Sequence, residues 1–229
     1  MKKSSLLTAG VALLAGVIAF VAIRSFLEPK APPANEIAPL PGAAATASAA
    51  AGSPSVARQI PETLPDFTLA TLEGPPKAIS AFTQPSLVVN FWATWCAPCR
   101  REIPLLRQIR AERGAKGVEV VGVAVDFRED VVKYAAEIGL DYPLLIGEED
   151  GMAAADSFGV DPVFPFTAFV DRERRIIALK IGELHADEAA FILDHVDKVN
   201  AGSLQPNAAR QLIREEIRRL DALRPKEPA

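Results

Sequence analysis

The chain has 229 residues, 49% of them hydrophobic, which is enough to bury one substantial core with a modest appendage. Its formal net charge is −4, and residues 60–200 carry 14 Lys/Arg against 23 Asp/Glu, a net charge of −9. Because nucleic-acid binding needs a basic face that displaces counterions, this acidic balance excludes nucleic acid as a partner.

The N-terminus carries two lysines followed by an uncharged run over residues 4–23, whose apolar part, 6–23, is 18 residues long. This length lies between a long signal-peptide core and a minimal membrane span. No small-residue cleavage site follows directly, although residues 47–49 fit that pattern further along. We favour an uncleaved membrane anchor at 1–27, with a cleaved signal as the alternative. The basic flank predicts a location in the inner (cytoplasmic) membrane, with the rest of the chain facing the periplasm or cell exterior.

Residues 28–59 are dominated by alanine and proline and contain few large apolar side chains. Such a segment buries too little surface to offset the entropy of ordering it. We therefore expect a disordered, semi-extended tether between the anchor and a folded domain at 60–200.

The folded domain alternates apolar strand-like runs with segments of helical period. Strands are predicted at 86–92, 118–125, 142–146, 166–170 and 176–181, and helices at 98–113, 130–138, 151–158 and 186–199. This alternation predicts an α/β fold with a mixed sheet covered by helices on both faces. The last two strands are separated by a short charged turn and should form an antiparallel hairpin. Two further runs, 66–70 and 77–82, indicate an extra N-terminal hairpin.

The remaining residues, 201–229, form a C-terminal extension. Residues 207–223 have an apolar stripe of helical period, which predicts one more helix. This helix either packs on the domain or serves self-association or docking on a partner.

The two cysteines, Cys96 and Cys99, lie in the stretch FWATWCAPCRREIP at residues 91–104. A disulfide across so short a loop removes little entropy from the unfolded chain, so it is a weak structural staple. A zinc site normally needs four ligands, and the two histidines, His185 and His195, lie far along the chain without metal-ligand spacing. We expect both histidines to be surface residues or locally hydrogen-bonded.

A redox role explains more of this stretch. Cys96 follows an apolar strand and Cys99 lies in the first turn of the next helix, whose free amides and dipole favour a thiolate on Cys96. That thiolate can attack a disulfide, and Cys99 can resolve the mixed disulfide that results. Pro98 suits the first helical turn, and Trp92 and Trp95 are expected to shield the site from water. No cofactor is expected beyond a redox-active Cys96–Cys99 disulfide.

The motif Trp-Cys-Ala-Pro-Cys after Asn-Phe-Trp-Ala resembles the thioredoxin superfamily. Its continuation at residues 100–104, Arg-Arg-Glu-Ile-Pro, is similar to the membrane-anchored, extracytoplasmic thioredoxin-like reductases of the TlpA/ResA group. The similarity covers about residues 64–192. It implies a thioredoxin-like fold and a thiol-disulfide oxidoreductase that reduces disulfides in envelope proteins. The implied partners are protein thiol or disulfide substrates and a membrane-embedded electron donor.

The resemblance also assigns roles to individual residues. It implies that Pro165 follows a cis peptide bond and faces the cysteines, the alternative being an ordinary trans turn proline. Phe164, Phe166 and Trp95 are then expected to form an apolar rim that binds substrate. Glu102 matches an acidic residue that exchanges protons with the thiols, the alternative being a solvated helix glutamate.

One departure from the resemblance concerns Asn90, which stands where many thioredoxins carry a buried aspartate. A neutral amide cannot accept the proton of a buried thiol, so this role passes to Glu102 or to water.

The Ala97-Pro98 pair between the cysteines resembles the Gly-Pro of thioredoxin more than the Pro-His of oxidants. The reduction potentials of those two types are about −270 mV and about −120 mV, so we expect a reductant. The alternatives are a disulfide oxidant or isomerase on the same fold, and a non-enzymatic anchored binding module or metallochaperone.

Overall fold

The computed structural model describes residues 59–72, 74–161 and 163–224. The predicted anchor at 1–27 and all but the last residue of the predicted tether at 28–59 lie outside these described residues. Within them, no helix is both long enough and apolar enough to cross a membrane.

The described residues form seven strands and five α-helices, which alternate through the middle of the chain. The strands are β1 (Thr68–Thr71), β2 (Lys77–Ala78), β3 (Ser86–Trp92), β4 (Val118–Val125), β5 (Leu144–Gly147), β6 (Phe166–Val170) and β7 (Ile176–Ile181). The helices are α1 (Ala97–Arg113), α2 (Arg128–Ile138), α3 (Glu149–Asp156), α4 (Ala186–Asn200) and α5 (Pro206–Leu223).

These strands make one mixed sheet in the order β2-β1-β5-β4-β3-β6-β7. The central strands β3, β4 and β5 are parallel to one another, whereas β6 and β7 form an antiparallel hairpin beside β3. The N-terminal hairpin β1–β2 extends the other edge by pairing antiparallel with β5. The predicted α/β fold, with its mixed sheet, its extra N-terminal hairpin and its additional C-terminal helix, is confirmed.

Side chains of β3 alternate between two buried layers, which explains why all seven of its residues are buried. Val88 and Trp92 face a layer that also includes side chains of α1, α4 and α5. Val89 and Phe91 face the opposite layer, which α3 and the N-terminal hairpin region cover. A strand buried on both faces needs apolar residues throughout, and this is the pattern that the sequence shows.

Several element boundaries differ from the sequence expectation. The first hairpin is shorter than predicted, because residues Ile79–Ala81 form a 3-10 helix rather than strand. Strand β5 begins at Leu144, after Pro143, which has no backbone N–H for the sheet ladder. Helix α3 lies two residues earlier than predicted, with Glu149 and Asp150 in its first turn, where acidic side chains favour the helix dipole.

The C-terminal helix α5 packs on the domain. Ala209 and Ile213 are buried in the same layer as α1 and α4. The Arg210 guanidinium donates from Nε to the Ile176 carbonyl at 2.9 Å and so ties the helix to the start of β7.

Candidate active site

The cysteine motif lies at the edge of the sheet where parallel strands β3 and β4 end. Strand β6 runs antiparallel to β3 with Phe91 opposite Phe166, so β6 begins at this same edge. The segment after β3, the segment after β4 and the segment before β6 therefore meet there, which brings together residues distant in the chain.

The turn between β3 and Cys96 is held by Asp126, which directly follows β4. One carboxylate oxygen, Oδ2, accepts hydrogen bonds from the Thr94 backbone N–H at 2.9 Å and from the Thr94 hydroxyl at 2.5 Å. The other oxygen, Oδ1, accepts from the Phe127 backbone N–H at 2.8 Å. Hydrogen bonds to a charged group are among the stronger ones, so this buried aspartate fixes the approach to the cysteine.

Cys96 is the N-cap residue of α1 and is joined to Cys99 by a disulfide bond. The Cys99 backbone N–H donates to Cys96 Sγ at 3.3 Å, so one of the orphan amides of the helix N-terminus points at this sulfur. Pro98 occupies the first turn, where its missing N–H costs no hydrogen bond. Cys96 retains slight solvent exposure and Cys99 has none, so incoming sulfur can reach Cys96 first.

Aromatic residues lie beside the cysteine pair. Trp95 is 70% exposed, and its ring lies edge-on to that of Phe164 with centroids 6.4 Å apart. The Phe164–Pro165 peptide bond is cis. Of the two tryptophans expected to shield the site from water, Trp92 is fully buried in the same layer as the cysteines, whereas Trp95 is a surface residue.

The prediction that Phe166 belongs to the substrate rim is wrong. Its side chain is 0% exposed and stacks on Phe91 with ring centroids 4.4 Å apart, in the layer covered by α3. Alternation along β6 turns this residue into the core, whereas Phe164, ahead of the strand, is only partly buried.

Glu102 lies one helical turn after Cys99 and is only 1% exposed, so it is not a solvated helix glutamate. Its Oε1 accepts from Asn90 Nδ2 at 2.6 Å, and its Oε2 accepts from the Leu184 backbone N–H at 2.6 Å. Asn90 Nδ2 also donates to Thr167 Oγ1 at 3.0 Å. Asn90 was expected to leave the proton transfer to Glu102, because its amide cannot accept a proton. In the structure, the same amide also fixes the position of the Glu102 carboxyl group.

Burial is the largest influence on this carboxyl group. It raises the pKa of Glu102 from 4.5 to about 7, against the two hydrogen bonds, which favour the ionised form. The nearby Glu183 also raises it, and Lys180 lowers it. A buried carboxyl with a pKa near neutrality can give or accept a proton at physiological pH.

Gly122 on β4 lies opposite Asn90 on β3 and leaves room for the aromatic residues around it. A Cβ at this position would lie 3.0 Å from the Tyr142 ring and 3.1 Å from Trp92 Nε1.

Burial raises the pKa of Tyr142 above its ordinary value, and the charge of Glu102 adds to this effect. The tyrosine is therefore a neutral neighbour of the carboxyl group.

The histidines lie apart from this arrangement. His195 is buried in α4 with Nδ1 2.7 Å from the Phe191 carbonyl oxygen, and the backbone N–H of His185 donates to Glu188 Oε2 at 3.0 Å. The expectation that each histidine is a surface residue or locally hydrogen-bonded is confirmed for His195, whose imidazole contacts the preceding helical turn, and His185 is partly exposed. Among the described residues, no group of three or more His, Cys, Asp or Glu could hold a metal ion.

Sequence reasoning missed Asp126 and Lys180. An aspartate directly after the second parallel strand signals the edge at which Cys96 lies, and a lysine inside the apolar strand Ile176–Ile181 signals a buried charge that needs partners. Phe127, which is 58% exposed beside Asp126, was also missed. No signal identifies it without the sheet order.

A helix N-terminus that presents a disulfide, on a mixed sheet with an antiparallel hairpin beside it, defines a thioredoxin-like thiol-disulfide oxidoreductase. Residues 59–193 match the model of the Redoxin family. The chain belongs to this family, and its relatives place it with the TlpA/ResA type.

Curated relatives of this chain include the thiol-disulfide oxidoreductase ResA of Geobacillus thermodenitrificans. That protein is 30% identical over 138 residues, which is 60% of this chain and 76% of the relative. ResA of Bacillus thuringiensis is 29% identical over 126 residues, covering 55% of this chain and 71% of the relative.

Solved structures agree with this assignment. A putative thiol:disulfide interchange protein DsbE from Chlorobium tepidum superposes with a TM-score of 0.53 at 26% identity, covering 61% of this chain and 95% of that protein. A secreted thiol-disulfide isomerase from Corynebacterium glutamicum gives a TM-score of 0.51 at 31% identity, covering 55% of this chain and 80% of that protein.

Proposed function

We propose that this protein is an extracytoplasmic protein-disulfide reductase, in which Cys96 attacks the substrate and Cys99 resolves the mixed disulfide. The observation that carries this proposal is the position of Cys96 as N-cap of α1, where its sulfur accepts the Cys99 amide at 3.3 Å. In the dithiol form, the same amide and the helix dipole favour a thiolate on Cys96.

The reaction consumes one substrate disulfide and two thiols of the enzyme. The Cys96 thiolate attacks one substrate sulfur, a mixed disulfide forms, and the other substrate sulfur leaves as a thiolate that takes a proton. The Cys99 thiol then loses its proton and its sulfur attacks Cys96 Sγ. The second substrate sulfur leaves as a thiol. The substrate is then fully reduced, and the enzyme is oxidised to the Cys96–Cys99 disulfide. No other cofactor takes part in this proposed cycle.

Glu102 is the proposed acceptor of the Cys99 proton. It lies one turn along the same helix, it is buried, and its pKa of about 7 suits transfer in either direction. Neutral Asn90 and the Leu184 amide hold its two oxygens.

The proposed substrate surface is the apolar rim around Cys96. Trp95, Phe127 and Val163 are exposed large hydrophobic residues, and Phe164 packs against Trp95. Exposed apolar side chains around a reactive sulfur suit an extended or unfolded protein segment better than a small polar thiol.

The reducing direction rests on Ala97-Pro98 and its similarity to the dipeptide of thioredoxin. A reductant outside the cytoplasm must be supplied with electrons, so we expect a membrane-embedded dithiol donor as a partner. The apolar run at 6–23 with its basic flank supports a location in the cytoplasmic membrane, and the segment at 28–59 would raise the local concentration of the domain near that donor.

The test of the exchange chemistry uses the full-length chain with Cys99→Ala, which removes the resolving thiol and leaves Cys96. This variant should accumulate mixed disulfides with protein substrates, visible as bands that a reductant removes. The matched control, Cys96→Ala with Cys99 intact, should trap far less, because Cys99 is buried. Equal trapping by the two variants would contradict the assigned roles.

The direction has a separate test. The wild-type chain equilibrated with glutathione buffers should show a potential nearer to that of thioredoxin, about −270 mV, than to that of DsbA, about −120 mV, and in any case below about −170 mV. A potential above that value, with a mainly oxidised cysteine pair in the cell, would establish a disulfide oxidant or isomerase instead.

A further inference from the structure

Lys180 is a buried lysine on β7, the edge strand of the sheet, and the exchange mechanism does not use it. It is 6% exposed, and on β7 it lies opposite Thr167 of β6, which in turn lies opposite Asn90 of β3. Directly opposed residues share a face of a sheet, so these three side chains form one polar row beneath the helices.

Glu102 lies over one end of this row through its 2.6 Å hydrogen bond from Asn90. At the other end, Lys180 Nζ lies 2.8 Å from Glu188 Oε1 and 3.1 Å from Asp221 Oδ1. A buried ammonium group is costly unless it is paired and hydrogen-bonded, and these two carboxylates meet that need.

The last turn of α5 closes over this pair. Asp221 belongs to this turn, and Arg224 directly follows the helix. The Arg224 guanidinium lies 2.8 Å from Glu188 Oε1 and 2.5 Å from Asp187 Oδ1. Glu188 is thus shared between the lysine of β7 and the arginine after α5, and the C-terminal extension supplies Asp221 and Arg224 to this cluster of charges.

We propose that Lys180 is a positioning residue for thiol–disulfide exchange, whose charge offsets the negative charge that Glu102 acquires when it gives up its proton. This inference rests on the proposed function, because it requires that Glu102 exchange a proton with Cys99. The C-terminal helix then contributes to the chemistry without touching the cysteines, by holding Lys180 in place.

Among the described groups that influence the ionisation of Glu102, Lys180 carries the positive charge. Strands β3 and β6 present neutral Asn90 and Thr167, and the loop after β7 presents Glu183, which raises the pKa of Glu102 and is paired with Arg101 at 2.5 Å. Tyr142 is neutral, and Cys99 on α1 is the proton donor. Lys180 on β7 is the positively charged group among these that favours the ionised carboxylate, and it acts in addition to the larger effects of the Leu184 and Asn90 hydrogen bonds.

The experiment measures the resolving step in the full-length dithiol chain. Attack of Cys96 on dithiobis(nitrobenzoate) releases one coloured thiolate, and attack of Cys99 releases the second, so the second phase reports the step in which Cys99 loses its proton. Its rate is recorded against pH for the wild type and for Glu102→Gln, which should remove the titration step that Glu102 contributes.

Lys180→Met should move that step upward, by at most about one pH unit, because Lys180 is the smallest of the influences on the pKa of Glu102. Lys180→Gln should do the same and keeps a donor towards Glu188, so it serves if the methionine variant does not fold. Lys180→Arg keeps the charge and should restore the wild-type midpoint. Lys116→Met, an exposed lysine on the segment between α1 and β4, is the matched control and should leave the profile unchanged.

The outcomes separate the two proposals. If Glu102→Gln removes the step while Lys180→Met and Lys180→Gln overlay the wild type, the role of Lys180 is refuted and the role of Glu102 stands. If Glu102→Gln leaves the profile unchanged, Glu102 is not the proton acceptor and the inference about Lys180 fails with it.

Discussion

Replacing Glu102 by glutamine should change how the stability of the oxidised protein depends on pH. Burial raises the folded-state pKa of Glu102 to about 7, whereas the unfolded chain should titrate near 4.5. Between these values the folded state binds more protons than the unfolded state, so stability falls as pH rises. The contribution of this group is therefore fully present below about pH 4.5 and is lost as pH rises through 7.

The size of the effect follows from the two pKa values. Each unit of difference corresponds to about 1.4 kcal/mol, so the full contribution is about 3 kcal/mol, of which about 2.5 kcal/mol is lost between pH 5 and pH 8. Glutamine does not titrate, so Glu102→Gln should lose none of it. The variant can keep one acceptor for Asn90 or Leu184 but not both, which costs about 1–3 kcal/mol at every pH.

The assay is urea unfolding of the oxidised full-length chain at pH 5, 6, 7 and 8, followed by tryptophan fluorescence. With the disulfide intact, no thiol titrates. The stability of Glu102→Gln relative to wild type should rise by about 2.5 kcal/mol from pH 5 to pH 8. Glu137→Gln, an exposed glutamate on α2, is the control and should give a constant difference. Parallel curves for wild type and Glu102→Gln would refute the reasoning, because they would mean that Glu102 titrates alike in both states.

Two further predictions concern the support of the site. Asp126→Asn removes the charge that holds Thr94 and should cost about 1–2 kcal/mol in urea unfolding. The substitution should also slow alkylation of Cys96 in the dithiol form. An unchanged alkylation rate would show that the Asp126–Thr94 hydrogen bonds are not needed to position Cys96. Ile213→Ala in α5 should lower the free energy of unfolding by about 2–4 kcal/mol, because this side chain is buried in the main core. Leu212→Ala, at a half-exposed neighbour, should lower it by less than about 1 kcal/mol. Equal small costs would mean that α5 is not part of the folding unit.

Much of the fold could be predicted from the sequence because its central strands are buried on both faces. Strands β3, β4, β6 and β7 have the predicted boundaries, since continuous apolar runs bounded by polar turns leave little choice. The strand boundaries that moved lie where a tertiary hydrogen bond or a proline determines the end of the strand. The Ile79 backbone N–H donates to the Phe67 carbonyl at 2.9 Å, and no local pattern indicates this contact.

The site could be predicted in part. The cysteines and Glu102 were identified because they share one short stretch of chain, and the direction of their side chains follows from helix geometry. Lys180 was missed because its partners come from α4 and α5, and only the sheet order brings it beside Thr167. Phe166 was wrongly assigned to the surface because its partner across the sheet could not be known from the sequence. Its position next to Pro165 was known, but its register opposite Phe91 was not.

The placement of the acid on α1 rather than on β3 affects how the site responds to movement. Cys96 caps this helix, Cys99 lies in its first turn and Glu102 follows one turn later, so both sulfurs and the carboxyl group belong to one rigid element. If the helix shifts on the sheet when the disulfide is reduced, the spacing between Cys99 and Glu102 is preserved. The contacts that change are those to Asn90 and Leu184, which come from other parts of the fold. Since both contacts favour the ionised carboxylate, lengthening them raises the pKa of Glu102. Such a shift would change the proton affinity of the acid, while the distance over which the proton moves would stay constant.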